Sequence, residues 1–305
     1  MRRFELADLS CLTVVLMWGV NMPLVKIALD EFSPMSFNAI RLLLAALLLW
    51  ILTIFIEGRI KLHREDVILI LVLGFTGNAL YQILFIKGIF LTKAGNVSLL
   101  ISSGTIFTAL WSRFLGQERF SGIMWAGIFI SMGGVTLILV ESAEFALSGG
   151  TLLGDLLILG GSLCWSSYTV YSKPLMKRYS PLSLSTLTMS VGALVFLLFS
   201  VSELQVQDWE QVSGKSFMIL TYSFTFALVL GYILWLHGVA RLGSTRTAIY
   251  SNLIPLVGVI GAKLVLGESI TPIQIVSGAL IATGIYLTHC SRPTSAPSEV
   301  RQRQQ

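Results

Sequence analysis

Charge is scarce in this chain: 12% of its 305 residues are charged and 54% are hydrophobic. With a mean hydropathy of +0.80, that excludes a soluble domain of this length and leaves a polytopic membrane protein. Cysteine is scarce as well. Cys11, Cys164 and Cys290 fall in apolar runs without metal-ligand spacing, which excludes a disulfide framework and a zinc site. Carboxylates are missing from mid-span positions: Asp8 and Asp155 stand at span starts, and Glu118 and Glu268 at turns. A buried carboxylate proton relay is therefore not visible. His63, His237 and His289 sit in a loop or near span ends, so no Ser and His set, nor two Asp, stands at matching depth for an intramembrane protease. The chain reads as a non-enzyme with no cofactor and no metal.

What the chain has instead is a duplication. Trp18, Lys26, Ser33, Pro34 and Ser36 recur 147 residues later as Trp165, Lys173, Ser180, Pro181 and Ser183. The same offset pairs Asp8-Leu9 with Asp155-Leu156 and Ala46 with Ala193. Beyond the middle of each copy it becomes 150, matching Gly88 with Gly238, Glu118 with Glu268 and Gly134 with Gly284. A fixed offset of this kind marks two structural repeats, and a three-residue difference in one loop explains the change.

Ten runs are long enough to span a bilayer: 7–29, 34–56, 66–91, 95–115, 120–140, 152–174, 181–203, 216–240, 243–266 and 271–290. In lipid such runs are helices, because each backbone polar group needs a partner within its own segment. The first run lacks a cleavage site after its basic start and reads as a retained helix. Of the 21 Lys and Arg, fourteen lie before the first run, after the last, or in loops on the same side as these two ends. The opposite loops hold Lys93 and Lys215 together with six acidic residues. By the positive-inside rule both termini are cytoplasmic, and the formal charge of +5 reports orientation rather than nucleic-acid binding.

Each repeat thus holds an odd number of spans, so the second enters the membrane from the opposite face. The predicted architecture is all-α: two inverted five-helix repeats at 1–140 and 152–290, an acidic link at 141–151 and a disordered cytoplasmic tail at 291–305. Inverted repeats of this kind place a substrate near the midplane and work by rocking one half against the other.

Five basic residues lie inside spans. Lys26, Lys87, Lys173 and Lys263 stand near span ends, where a long stem can snorkel to the interface. Arg41 is deeper, and its repeat mate is Thr188. It is either an anion contact or a structural hydrogen-bonding group. The other mid-span residues of note are aromatic or small and polar: Trp18 and Asn21, Tyr81, Ser102 and Thr105, Trp165 and Tyr168, Tyr232 and Trp235, and Asn252. They follow three- or four-residue spacing and read as the wall of a polar-aromatic cavity, against the simpler reading that they fill the bundle. Pro23 and Pro255 free carbonyls within their spans and suit hinges. Gly127, Gly134, Ser277 and Gly284 form smooth stripes, as helix-packing seams within one molecule or between two.

The stretch from Ala248 to Leu287, with Pro255, Leu266-Gly267-Glu268, Thr271-Pro272 and Gly284, resembles the closing segment of EamA-type domains of the drug/metabolite transporter superfamily. The first half repeats it more loosely at Leu115-Gly116-Gln117-Glu118 and Gly134, with Gly122 where the second copy has Pro272. Trp18 and Ser33-Pro34, with their second copies, resemble the opening of the same domain. The resemblance covers essentially all ten spans. It implies a multi-pass protein of the bacterial inner membrane, a monomer or homodimer, exporting amino acids or related amphipathic metabolites by alternating access. The alternatives are an organophosphate or drug carrier of the same fold and a non-transporting membrane sensor. Phosphate-carrying relatives use clustered Lys and Arg, which are scattered here, and single-repeat multidrug members use an embedded Glu that this sequence lacks.

Overall fold

The structure, a computed structural model, describes residues 6–115, 118–119, 121–146, 151–290 and 294–295. Each of the ten apolar runs is helical there. The rods are α1 (Leu6–Ala28), α2 (Pro34–Ile56), α3 (Arg64–Leu91), α4 (94–114), α5 (Gly122–Ala146), α6 (Leu152–Leu175), α7 (Pro181–Val206), α8 (Gly214–Leu242), α9 (244–266) and α10 (Pro272–Cys290). Among the described residues, five are long and apolar enough to cross a membrane: α1, α2, α3, α7 and α8. α5 continues to Ala146, into the stretch read as a link, and residues 147–150 lie outside the described ones. So does the tail from Ser291, apart from Thr294–Ser295, which pairs antiparallel with Glu118–Arg119.

The duplication is visible in how helices start. Ser33 Oγ accepts from Ser36 N at 3.3 Å and Pro34 opens α2; Ser180 Oγ accepts from Ser183 N at 2.9 Å and Pro181 opens α7. A serine cap followed by proline satisfies an orphan amide and presets the first turn. The duplication also shows where helices deform. α3 widens into π turns at Phe75–Leu80 and α8 does so at Ser223–Leu230. α4 breaks at Ser102 and α9 at Ser251–Leu253. Such irregularities concentrate at functional sites.

Packing between rods repeats in the same way. Gly134 of α5 abuts the Ser277 carbonyl and Ile281 of α10, while Gly284 of α10 abuts the Gly127 carbonyl and Ser131 of α5; these are the same positions with the repeats exchanged. Gly88 of α3 abuts Ile158 of α6, and Gly238 of α8 abuts Cys11 of α1. Lipid gives helices no hydrophobic reason to associate, so small residues that let backbones approach closely carry these seams. The glycine stripes are thus packed within one molecule. α2 lies along α7, joined by Thr53 Oγ1 to Thr186 Oγ1 at 2.7 Å and by Trp50 Nε1 donating to Ser190 Oγ at 2.8 Å.

The distribution of polarity is the reverse of a soluble protein's. Phe55 is 85% exposed and Phe114 80%, whereas Arg41 is 1% exposed and Asp155 0%. Outward faces this apolar belong against hydrocarbon, and the chain is an integral membrane protein. Two carboxylates placed at span starts are buried after all. Asp8 of α1 accepts from Tyr250 Oη at 2.6 Å, and Asp155 of α6 accepts from Thr92 Oγ1 at 2.5 Å and Asn96 Nδ2 at 3.1 Å. The start of each repeat's first helix packs against the first half of α9 or α4, which covers them. Lys87, Lys173 and Lys263 are exposed, but Lys26 is not a simple snorkel: its Nζ donates to the carbonyls of Ile89, Phe90 and Thr92 and caps the end of α3.

Candidate functional site

Seven rods converge on one cavity of about 700 Å³, counting its mouth and the gaps between side chains. Helical spacing puts Trp18, Asn21 and Met22 of α1 on one face, and Ser162 and Trp165 of α6 on another. In α3 and α8 the widened turns end at Leu80 and Leu230. The residues that follow, Tyr81, Gln82 and Phe85 in α3 and Tyr232 and Trp235 in α8, face the cavity. α4 contributes Ile101, Gly104 and Thr108, and α9 contributes Ala248, Ser251 and Ile254, around their two breaks.

The aromatic wall is continuous. Trp165 stands at its centre, with ring centroids 5.3 Å from Trp18, 5.3 Å from Tyr81, 5.0 Å from Tyr232 and 5.7 Å from Trp235. Two indoles are pinned: Trp18 Nε1 donates to the Ala227 carbonyl at 2.8 Å and Trp235 Nε1 to Thr169 Oγ1 at 3.1 Å. Pinned rings offer large apolar contact to a solute without losing freedom when it binds.

Arg41 of α2 is the one charged residue among the described residues lining the cavity. Its Nη1 donates to Ser223 Oγ at 3.0 Å and its Nη2 to Gln82 Oε1 at 2.6 Å, while Nε has no partner among the described residues. The guanidinium carbon lies 5.6 Å from the Phe37 ring centroid and 5.9 Å from that of Phe85. These contacts are neutral. A buried cation held by neutral groups alone retains an unmet charge, which an arriving anion would compensate. Asn21 Oδ1, also on the wall, is a second buried polar atom without a partner among the described residues.

Of the residues selected from sequence, the cavity gathers Trp18, Asn21, Arg41, Tyr81, Trp165, Tyr232 and Trp235. Three others are buried beside it rather than on its wall. Tyr168 stacks behind Trp165 and its hydroxyl meets Thr188 Oγ1 at 3.2 Å. Thr105 Oγ1 donates to the Ala248 carbonyl at 2.8 Å and ties α4 to α9, and Ser102 sits at the α4 break. Pro23 is buried within an unbroken α1. The side chains of Asn252 and Pro255 lie outside the described residues; their backbone falls at and just after the α9 break.

The sequence matches the profile of the EamA-like transporter family twice, over residues 5–140 and 152–290. The chain belongs to the EamA-like transporter family. It is 30% identical over 281 residues to the uncharacterized transporter YyaM of Bacillus subtilis, covering 88% of each chain. It is 28% identical over 286 residues to a protein of Escherichia coli named as a probable amino-acid metabolite efflux pump, covering 90% of this chain and 92% of that one. A solved crystal structure superposes with a TM-score of 0.67 at 16% identity, over 94% of this chain and 98% of that one, which supports the fold. The family and these relatives are transporters rather than enzymes. In this EamA-like transporter the wall also uses Gln82, Thr108, Ser162 and Ser251, which the sequence reading passed over. Gln82 carried a signal: it is the repeat mate of Tyr232 at the 150 offset.

Proposed function

We propose that the protein is a ten-span inner-membrane carrier that exports amino acids or related amphipathic metabolites by alternating access. The observation that carries this reading is Arg41, buried without a carboxylate partner among the described residues, on the edge of an aromatic cavity between two repeats. A guanidinium receives a carboxylate through paired hydrogen bonds, and the aromatic wall receives an apolar side chain. A phosphate ester of two charges would leave one unmatched beside a single cation, which favours the carboxylate over the organophosphate reading. The relative named for amino-acid metabolite efflux lends the same direction.

Alternating access is supported by clasps that the two repeats share. Glu57, at the end of α2, accepts from Ser180 Oγ and Ser183 Oγ at 2.6 Å each, holding the start of α7. Gln207, which follows the end of α7 as Glu57 follows the end of α2, accepts from Ser33 N at 2.7 Å and holds the start of α2. Opening one clasp while keeping the other is the rocking that inverted repeats perform. The basic loops support a cytoplasmic position for both termini.

The test is ligand-dependent stabilisation of the purified protein against a panel of amino acids, their amines and sugar phosphates. A true ligand at 100 times its Kd adds about 2.7 kcal/mol to stability. Stabilisation by sugar phosphates and by no amino acid would replace this reading with the organophosphate one.

A further inference from the structure

Gln82 sits between the cation of one repeat and the aromatic wall of the other. It is 2% exposed. Its Oε1 accepts from Arg41 Nη2 at 2.6 Å, and its Nε2 donates to Tyr232 Oη at 3.3 Å. Its backbone carbonyl accepts from Asn38 Nδ2 at 3.4 Å, which anchors the residue to α2. Ser223 Oγ, in the widened turn of α8, takes Arg41 Nη1 at 3.0 Å. With both terminal nitrogens held, the plane of the guanidinium is fixed by contacts from α3 and α8.

The chemistry of the amide matters as much as its position. A glutamate in the same place would accept from Arg41 equally well, but it would neutralise the cation and form a closed ion pair. The amide gives the geometry of a carboxylate without its charge. Gln82 and Tyr232 are also repeat mates, so the bond between them crosses the boundary between halves beside the pseudo-twofold axis.

We infer that Gln82 is the specificity-determining residue of the cavity: it orients Arg41 while leaving its charge free, and so sets a preference for carboxylate-bearing solutes over their uncharged or cationic analogues. The inference rests on the reading of Arg41 as the carboxylate contact. It adds that the preference depends on a neutral acceptor at residue 82.

The experiment measures binding of L-leucine against isoamylamine and of L-phenylalanine against phenethylamine, by thermal stabilisation of the purified full-length protein. Four proteins are compared: wild type, Arg41→Lys, Gln82→Glu and Gln82→Met. Wild type favours the acid, and Arg41→Lys reduces that preference. Gln82→Glu reduces the acid-to-amine ratio about tenfold or more, the loss of one charged hydrogen bond, with amine binding unchanged or tighter. Gln82→Met, which removes the acceptor but adds no charge, lowers the ratio through lost orientation. A wild type that favours the acid in neither pair, or an Arg41→Lys protein that keeps the preference, overturns the Arg41 reading and this inference with it. If Arg41→Lys loses the preference while Gln82→Glu keeps it within about twofold of wild type, the Arg41 reading stands and the role of Gln82 falls. Should Gln82→Glu give no folded protein, Gln82→Met decides: equal losses for acid and amine mean packing alone and overturn the inference.

Discussion

Trp18 and Trp165 occupy the same position in the two repeats, and their rings meet edge to face with centroids 5.3 Å apart. Residues that a pseudo-twofold exchanges can touch each other only beside its axis. The contact therefore places the axis in the aromatic wall, and the bond from Gln82 to Tyr232 marks a second point on it. The cavity lies between the two repeats and is lined by both, so a solute held there would touch both.

The aromatic wall makes a labelling prediction. Single cysteines at residues 18, 81, 165 and 235, in a protein lacking Cys11, Cys164 and Cys290, should react with small water-soluble thiol reagents. Binding of a stabilising amino acid should protect them. Uniform inertness at these positions, with labelling of lipid-facing Phe55→Cys, would remove the wall from the solute path.

The α5 and α10 seam makes a stability prediction. A side chain at Gly284 would run into the Gly127 carbonyl and Ser131, so Gly284→Val should destabilise the protein by about 1–3 kcal/mol through overpacking. Gly133, one residue from the seam glycine Gly134, has open space around it. Gly133→Ala should be neutral or should stabilise by about 0.5–1 kcal/mol. Melting curves in detergent compare them, and equal melting of the two variants would mean the seam is not packed as described.

The sequence made the duplication legible because repeat mates such as Trp18 and Trp165, or Gly134 and Gly284, kept both identity and spacing. It made the aromatic wall legible because bulky rings at three- and four-residue intervals share a helix face. It hid what depends on departures from helical register. The widened turns at Phe75–Leu80 and Ser223–Leu230 contain no proline to announce them, yet they precede the inward-facing Tyr81, Gln82 and Tyr232. The burial of Asp8 and Asp155 was hidden for a related reason: it depends on α9 and α4 packing over the start of each repeat, and a span start looks exposed until its neighbour is known. Ser102 and Thr105 carry the same mid-span signal of small polar residues as the wall, but they fall at and just after a break, and Thr105 bonds across to α9 instead.

Membrane topology makes a third prediction. Reporter fusions after Arg64, Glu144 and Arg292 should read inside, outside and inside, as five crossings per repeat require. A Glu144 fusion on the inside would break the five-plus-five arrangement, and the alternating-access reading with it.

The measurement that bears most directly on the central claim is transport by Arg41→Lys in proteoliposomes, with an amino acid and its decarboxylated amine as paired solutes. Lysine keeps the charge but cannot offer two parallel hydrogen bonds. Wild type should move the acid in preference to the amine. The variant should fold and insert normally, with its acid transport weakened by roughly 1–3 kcal/mol and the amine nearly unaffected. Equal losses for both solutes, together with a lowered melting temperature, would make Arg41 a brace between helices and would contradict the account.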